Sequence, residues 1–326
     1  MIKRNLIKRV MAAGAIMAVT LSLAGCGAGS RSVKLGAAGV GGGYYAFSNA
    51  FAQMAVAEDE DLDFEVKATA GSTANIRLLS DGYIDMAIAQ ADLVDAAYNG
   101  TGVTDKKRYR GYSAVASLYT EACQIVVRAD SGIDSLDDLQ GKKVSVGEEE
   151  SGTQRNAEQI LKMTGLVESL VDTVNLDYVD AANELKSGQI DAFFCTAGIQ
   201  TSVIEELSKE CDVKLIGIDD KCRDRLKSVY GFYTDYTIPA GTYEGQDQDV
   251  ETLGVRAVLL ARDDMDEEIV EELTGLLFEH AQDIQYSIAL TFQIDESEAV
   301  KNVTIPFHDG AKAYYQKKGI EIPAEQ

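Results

Sequence analysis

Two periods alternate along the chain. Short apolar runs at 33–38, 64–70, 142–146 and 174–179 read as strands. The stretches 44–57, 74–80, 264–288 and 307–318 carry apolar residues at every third or fourth position and read as helices. Two heptapeptides anchor the pattern, Leu79-Ser80-Asp81-Gly82-Tyr83-Ile84-Asp85 and Leu185-Lys186-Ser187-Gly188-Gln189-Ile190-Asp191, both of the form L-x-x-G-x-I-D. In each, the Leu closes a helix, the Gly suits the position just past it, and Ile-Asp opens an apolar strand. One such heptapeptide would be an ordinary helix-to-strand joint. Here the neighbours match as well: each half has a strand, a glycine-bearing turn and a helix upstream. The reading is an α/β chain made of two βαβαβ lobes built to one plan.

The turns at 39–45, 70–75 and 90–92 follow the carboxyl ends of strands in the first half, and those at 147–153, 179–183 and 195–201 do so in the second. Open α/β sheets bind ligands beyond those ends, so two facing lobes make a ligand cleft. The chain is expected to cross between lobes at 118–123 and to return at 233–242, where Pro239 and Gly241 lie. This gives a first lobe of 33–118 plus 239–326 and a second of 119–238. Residues 250–260 read as a strand returning to the first lobe, and 130–141 as a surface turn with a short helix.

The first 25 residues carry a different signal. Lys3, Arg4, Lys8 and Arg9 precede a small and apolar run at 10–23, which is too short to span a bilayer. It ends in Leu23-Ala24-Gly25-Cys26. Small residues before a Cys at this point resemble the lipobox of bacterial lipoproteins, in which the Cys becomes the lipidated N-terminus. Residues 1–25 are therefore expected to be a lipoprotein signal peptide, with Cys26 the anchor and 26–32 a tether. A plain secretory signal or a membrane-tethered N-terminus is the alternative.

The charge changes the picture of the partner. The formal net charge of −23 becomes −27 once Lys3, Arg4, Lys8 and Arg9 are removed. Nucleic acid is excluded, because affinity there comes from Lys and Arg on phosphates. An anionic ligand must be held by local donors. Four cysteines remain, Cys123, Cys195, Cys211 and Cys222, without metal-ligand spacing. Cys211 and Cys222 either pair or stay free. His280 lies mid-helix among apolar residues and His308 at a helix start, where packing and capping account for them. Cys195 sits near a strand end facing the cleft, but no base can be nominated for it. No catalytic residue, metal or cofactor is assigned, and a two-lobe enzyme is the weaker alternative.

The turns supply the candidate site. Lys34-Leu35-Gly36-Ala37-Ala38-Gly39-Val40-Gly41-Gly42-Gly43-Tyr44-Tyr45 runs from strand to helix through glycines. It lacks the Gly-Lys-Ser/Thr of a phosphate loop and the spacing of a dinucleotide fingerprint. Backbone amides at a helix start bind anions, so ligand contact is expected at Gly43, Tyr44 and Tyr45. The same device recurs at Ser72 and Thr73 and at Ser151, Gly152 and Thr153, where helix capping alone is the plainer account. Asn75, Gln90, Asn156, Thr196, Gly198 and Tyr243 complete the expected donors. Arg77 and Arg155 read as solvated helix faces and are left out.

The chain resembles the TAXI family of solute-binding receptors, which serve TRAP-type secondary transporters. The matching residues are Gly42-Gly43-Tyr44-Tyr45, Gly71-Ser72 with Asn75, Ala89-Gln90-Ala91-Asp92, Ser151-Gly152-Thr153, Thr196 with Gly198, and Gly241-Thr242-Tyr243, with His308, Gly310-Ala311 and Tyr314-Tyr315 near the end. The resemblance covers nearly all of 33–319. It implies a two-lobe type II periplasmic-binding fold with the ligand between the lobes, no enzymatic activity, and capture of a small organic anion such as glutamate or 2-oxoglutarate. It also implies delivery to a TRAP permease by a monomeric, extracytoplasmic, lipid-anchored protein. A ligand-sensing lipoprotein without a transport role is the second possibility. Gly147-Glu148-Glu149-Glu150 departs from the family pattern, with more acid than an anion site calls for.

Overall fold

A computed structural model describes residues 31–102, 106–167, 169–288 and 294–323. Cys26 and the expected signal peptide lie outside the described residues. The chain enters on β1 (Arg31–Gly36), so the last two residues of the expected tether already belong to the sheet. Then follow α1 (Gly43–Glu58), β2 (Leu62–Lys67), α2 (Ser72–Ser80), β3 (Met86–Gln90) and α3 (Ala91–Asn99). A 17-residue strand, β4 (Tyr112–Arg128), carries the chain into a second set. This set is β5 (Lys143–Ser145), α4 (Gly152–Thr164), β6 (Asp172–Val174), α5 (Tyr178–Ser187), β7 (Ala192–Ala197) and α6 (Ser202–Glu210), then β8 (Val213–Leu215), α7 (Asp220–Val229) and β9 (Thr234–Ile238). A second long strand, β10 (Val250–Arg262), leads back to α8 (Glu267–Glu279), α9 (Ala281–Ser287) and α10 (Asp309–Lys318).

The strands form one sheet in the order β2-β1-β3-β10-β4-β7-β5-β6, with β8 on β4 and β9 on β10. Read from either edge, the two halves have the same plan. Three parallel strands, β2-β1-β3 or β6-β5-β7, are followed by one long antiparallel strand, β10 or β4. β3 (MAIAQ) and β7 (AFFCTA) are buried along their whole length, as central strands covered on both faces must be.

The apolar cores mark the lobes. One core ends at Tyr119 and resumes at Ala257, taking in Phe47, Phe51, Ile88, Leu273 and Tyr315. The others run from Ala122 to Val255. By these cores the outward crossing lies at 119–122 on β4. The return falls at 255–257 on β10, and not at 233–242. β9 pairs with the second-lobe end of β10, and Tyr243 packs in a second-lobe core, so 239–255 belongs with the second lobe. Both crossings are continuous strands paired with one another from Tyr112–Arg262 to Ala122–Gly254. Gly254 permits this approach, since a Cβ there would stand 2.5 Å from Thr120 Cγ2.

The heptapeptides have one structural job. Asp85 Oδ2 accepts from the Lys34 amide, and Asp191 Oδ2 accepts from the Lys143 amide, both at 2.9 Å. The Asp85 and Asp191 amides in turn donate to the Lys34 and Lys143 carbonyls. Each Asp thus clasps its strand to the first strand of its own lobe. Gly82 and Gly188 take φ of 74° and 76°, the left-handed turn that lets each helix end there.

The expected helix over 264–288 is broken. His280 has φ −101° and ψ 15° and separates α8 from α9. Its ring lies 3.4 Å from Glu58 and 3.3 Å from Asp283. His308 caps α10 by accepting from the Gly310 amide at 3.1 Å. Cys123, Cys195, Cys211 and Cys222 are all free thiols.

Candidate functional site

The two lobes meet over a cavity of about 30 Å³, room for about one water molecule. A solute enters only if the lobes part. The first lobe contributes Gly39, Gly42, Gly43, Tyr44, Gly71, Ser72 and Gln90; the second contributes Glu148, Ser151, Gly152, Thr153, Asp177, Tyr178 and Thr196. Glu121, from the crossing stretch of β4, completes the lining.

Each wall is built from helix starts. α1 begins at Gly43 after Gly42, α2 at Ser72 after Gly71, and α3 at Ala91 after Gln90; none of the three has a side-chain cap. First-turn amides have no acceptor within their own helix. On the opposite wall the starts are capped from within. Ser151 Oγ accepts from the Gln154 amide, and Asp177 accepts from the Asp180 amide. Two glycines allow the walls to touch. Gly71 has φ 123°, with Ser151 Cα 3.5 Å from where its Cβ would stand. A Cβ on Gly152 would stand 2.5 Å from the Gln90 amide carbon.

Cross-lobe hydrogen bonds hold this arrangement. Gln90 Nε2 donates to Asn156 Oδ1 at 3.0 Å, and Asn156 Nδ2 donates to the Tyr233 hydroxyl at 2.8 Å. The Thr73 and Ala74 amides both donate to the Glu150 carbonyl, at 3.1 and 3.2 Å. Arg77 grips the Glu150 carboxylate with two nitrogens, at 3.1 and 2.7 Å. Thr201 Oγ1 donates to the Gly41 carbonyl at 3.0 Å.

Of the residues expected from sequence, Gly43, Tyr44, Ser72, Gln90, Ser151, Gly152, Thr153 and Thr196 are brought together around the cavity. Six stand elsewhere. Asn75 is fully buried and donates to the Gly36, Ala37 and Ile88 carbonyls, stapling β1 to β3. Asn156 lies behind Gln90. Tyr243 is buried in a second-lobe core with its hydroxyl on Gln124. Thr73 and Tyr45 line outer grooves, and Gly198 is not part of the lining. Cys195 faces the core instead of the cleft, and burial pushes its thiol well above the ordinary range. Arg77, read as solvated, holds the second lobe through Glu150.

Sequence reasoning missed Glu121, Asp177 and Tyr178. Glu121 is 2% exposed, and Tyr44 donates its hydroxyl to Glu121 Oε2 at 2.6 Å. Burial pushes its carboxyl up to about 8, against hydrogen bonds from Tyr44 and Gln90, with Asp92 adding to the push. The available signal was a lone acid inside the apolar run 112–127. Burial, then Asp177 beside it, also raises Glu148. No Lys or Arg is among the lining residues. Among the described residues no group of His, Cys, Asp or Glu is suited to a metal ion, and no helix is long and apolar enough to cross a membrane.

Comparison with known proteins fits this geometry. A family model described as NMT1-like matches residues 35–319, and the chain belongs to that family. A solved protein from Bordetella bronchiseptica RB50 superposes with a TM-score of 0.58 at 16% identity, over 89% of this chain and 98% of that one. The substrate-binding protein of an amino acid ABC transporter gives 0.48 at 16% identity, over 78% and 95%. An alkanesulfonate-binding protein from Xanthomonas axonopodis pv. citri, bound to MOPS, gives 0.47 at 14%, over 90% and 82%. At this identity the likeness to the Bordetella protein shows the fold alone.

Proposed function

We propose that this member of the NMT1-like family is an extracytoplasmic receptor that closes its two lobes on one small organic acid and hands it to a membrane permease. One observation carries the reading: a cavity lined by both lobes, at helix starts and polar side chains, with both crossing strands continuous beside it. The first turns of α1 and α4 line it at Gly43, Tyr44, Gly152 and Thr153, which suits a carboxylate. The TAXI resemblance supports glutamate- or 2-oxoglutarate-like solutes and a TRAP permease. Leu23-Ala24-Gly25-Cys26 supports a lipid anchor.

Three measurements test it. Solution scattering should show a smaller radius of gyration when the right acid is added; no acid causing closure would sink the receptor reading. Uptake into vesicles holding the permease should run on an ion gradient without ATP, and ATP dependence would rule out a TRAP partner. Cys26→Ser should remove fatty-acid labelling and the membrane-bound fraction.

A further inference from the structure

Polar groups face the cavity from both walls. Its first-lobe wall offers three helix starts without side-chain caps, after Gly42, Gly71 and Gln90. Its second-lobe wall carries Glu148 and Asp177, and Glu121 lies in the lining from β4. An anion with no positive group would be held on one side and face up to three acids on the other. The helix starts are also not equal. At α2 two first-turn amides are already taken by the Glu150 carbonyl, which leaves α1 as the freer donor of that wall.

A second observation points the same way. Gln90 is 2% exposed and lines the cavity, and its Oε1 has no hydrogen-bond partner. Its Nε2 donates to Asn156 and to Glu121. A buried acceptor left open beside carboxylates calls for a donor-rich group.

We propose that Glu121 is the specificity-determining residue of this cleft, and that it selects a solute bearing an ammonium group next to its carboxylate: an amino acid, and not the matching 2-oxo acid. The inference rests on the receptor reading and narrows its ligand. The carboxylate lies toward α1, and the ammonium donates to Glu121 and Gln90 Oε1. The groups that face Glu121 are Tyr44 on α1, Gln90 at the end of β3, Asp92 at the start of α3, Tyr119 and Cys123 on its own strand, Tyr178 on α5 and Cys195 on β7; none is a cation. Buried as it is, Glu121 carries its proton near pH 7 when no ligand is bound. An ammonium beside it favours the charged form, so the proton leaves as the solute binds.

The experiment is titration calorimetry at pH 7 with paired probes: L-glutamate against 2-oxoglutarate, then the other common amino acids against their 2-oxo acids. At least one amino acid should bind about a hundredfold tighter than its partner. Repeating it in buffers of different ionisation enthalpy should show about one proton released per ligand. Glu121→Gln keeps an acceptor for Tyr44, so the fold should hold by circular dichroism. That variant should weaken the amino acid about a hundredfold and abolish proton release. A 2-oxo acid that binds as tightly, no amino acid that binds, or binding without proton release would each overturn the proposal. The last is read on the natural protein, so failure of the variant to fold leaves the proposal testable. Scattering separates the two readings. Closure on 2-oxo acids alone ends this inference and leaves the receptor; closure on nothing ends both.

Discussion

The two lobes share a plan and divide the chemistry. Both clasp their first strand with the Asp of L-x-x-G-x-I-D, and both end the helix before it on a left-handed glycine. Each even sets an arginine over that helix end. Arg262, at the end of β10, donates to the Gly82 carbonyl, and Arg128, at the end of β4, donates to the Leu185 carbonyl. The difference lies where the lobes face each other. The first presents glycine-led helix starts without side-chain caps; the second caps its own with Ser151 and Asp177 and adds acids. Repetition secures the fold, and divergence at the facing turns gives the cleft a direction.

The largest test of this division is pH. Glu121 is raised from 4.5 to about 8 in the folded chain, and Asp92 from 3.8 to about 6, chiefly by burial. Between those values the folded state holds protons that the unfolded state has released. Stability without ligand should therefore fall as pH rises, by on the order of 5 kcal/mol across the Glu121 window, at most about 1.4 kcal/mol per pH unit for each of the two groups. Denaturant titrations from pH 5 to 8 measure this, and Glu121→Gln should flatten the upper part. An unchanged slope would show that the acid is not dry.

The staples should separate the lobes next. Asn75→Ala removes the amide shared among three carbonyls, of which Ala37 keeps Thr69 as a donor, and should cost about 3 kcal/mol. Asn175, which reaches only the Gly147 carbonyl, should cost about 1 kcal/mol on the same change. The clasps should behave alike, with Asp85→Asn and Asp191→Asn each costing about 1–2 kcal/mol. A much smaller loss at one would mean that the echo is sequence without function there.

Smaller effects probe the contact. Gly152→Ala puts a methyl into the Gln90 amide. Its thermal midpoint should fall slightly, since the methyl displaces the buried Gln90 side chain from Asn156, while affinity falls about tenfold, or about 1.4 kcal/mol. Glu150→Ala removes a half-exposed pair with Arg77, worth less than about 1 kcal/mol. It should mainly enlarge the ligand-free particle in scattering.

Much of the fold was legible because it is local. Leu-x-x-Gly-x-Ile-Asp encodes a helix end, a turn and a clasp within seven residues, and the apolar runs of β3 and β7 announce central strands. The return crossing was not. Pro239 and Gly241 mark the turn after β9, whereas the chain crosses inside β10, where Gly254 only makes room for Thr120. The residues that gather at the cavity were legible at helix starts, since capping and glycine are short-range signals. Asn75, Asn156 and Tyr243 stand away from the cavity, and a buried polar side chain that staples backbone or neighbour looks, in sequence, like one that waits for a ligand. Glu121 was invisible for the opposite reason: only the tertiary fold decides that an acid within an apolar run sits dry beside a cavity.

β4 and β10 cross between the lobes as one paired ribbon. Such a ribbon acts as a torsion bar. Opening the cleft is then elastic twist spread over many residues, with no joint that melts and re-forms. Amide protons along 112–122 should stay protected from exchange whether the lobes are apart or together, while those of Thr73 and Ala74, held only by the Glu150 carbonyl, should exchange at the rate of opening.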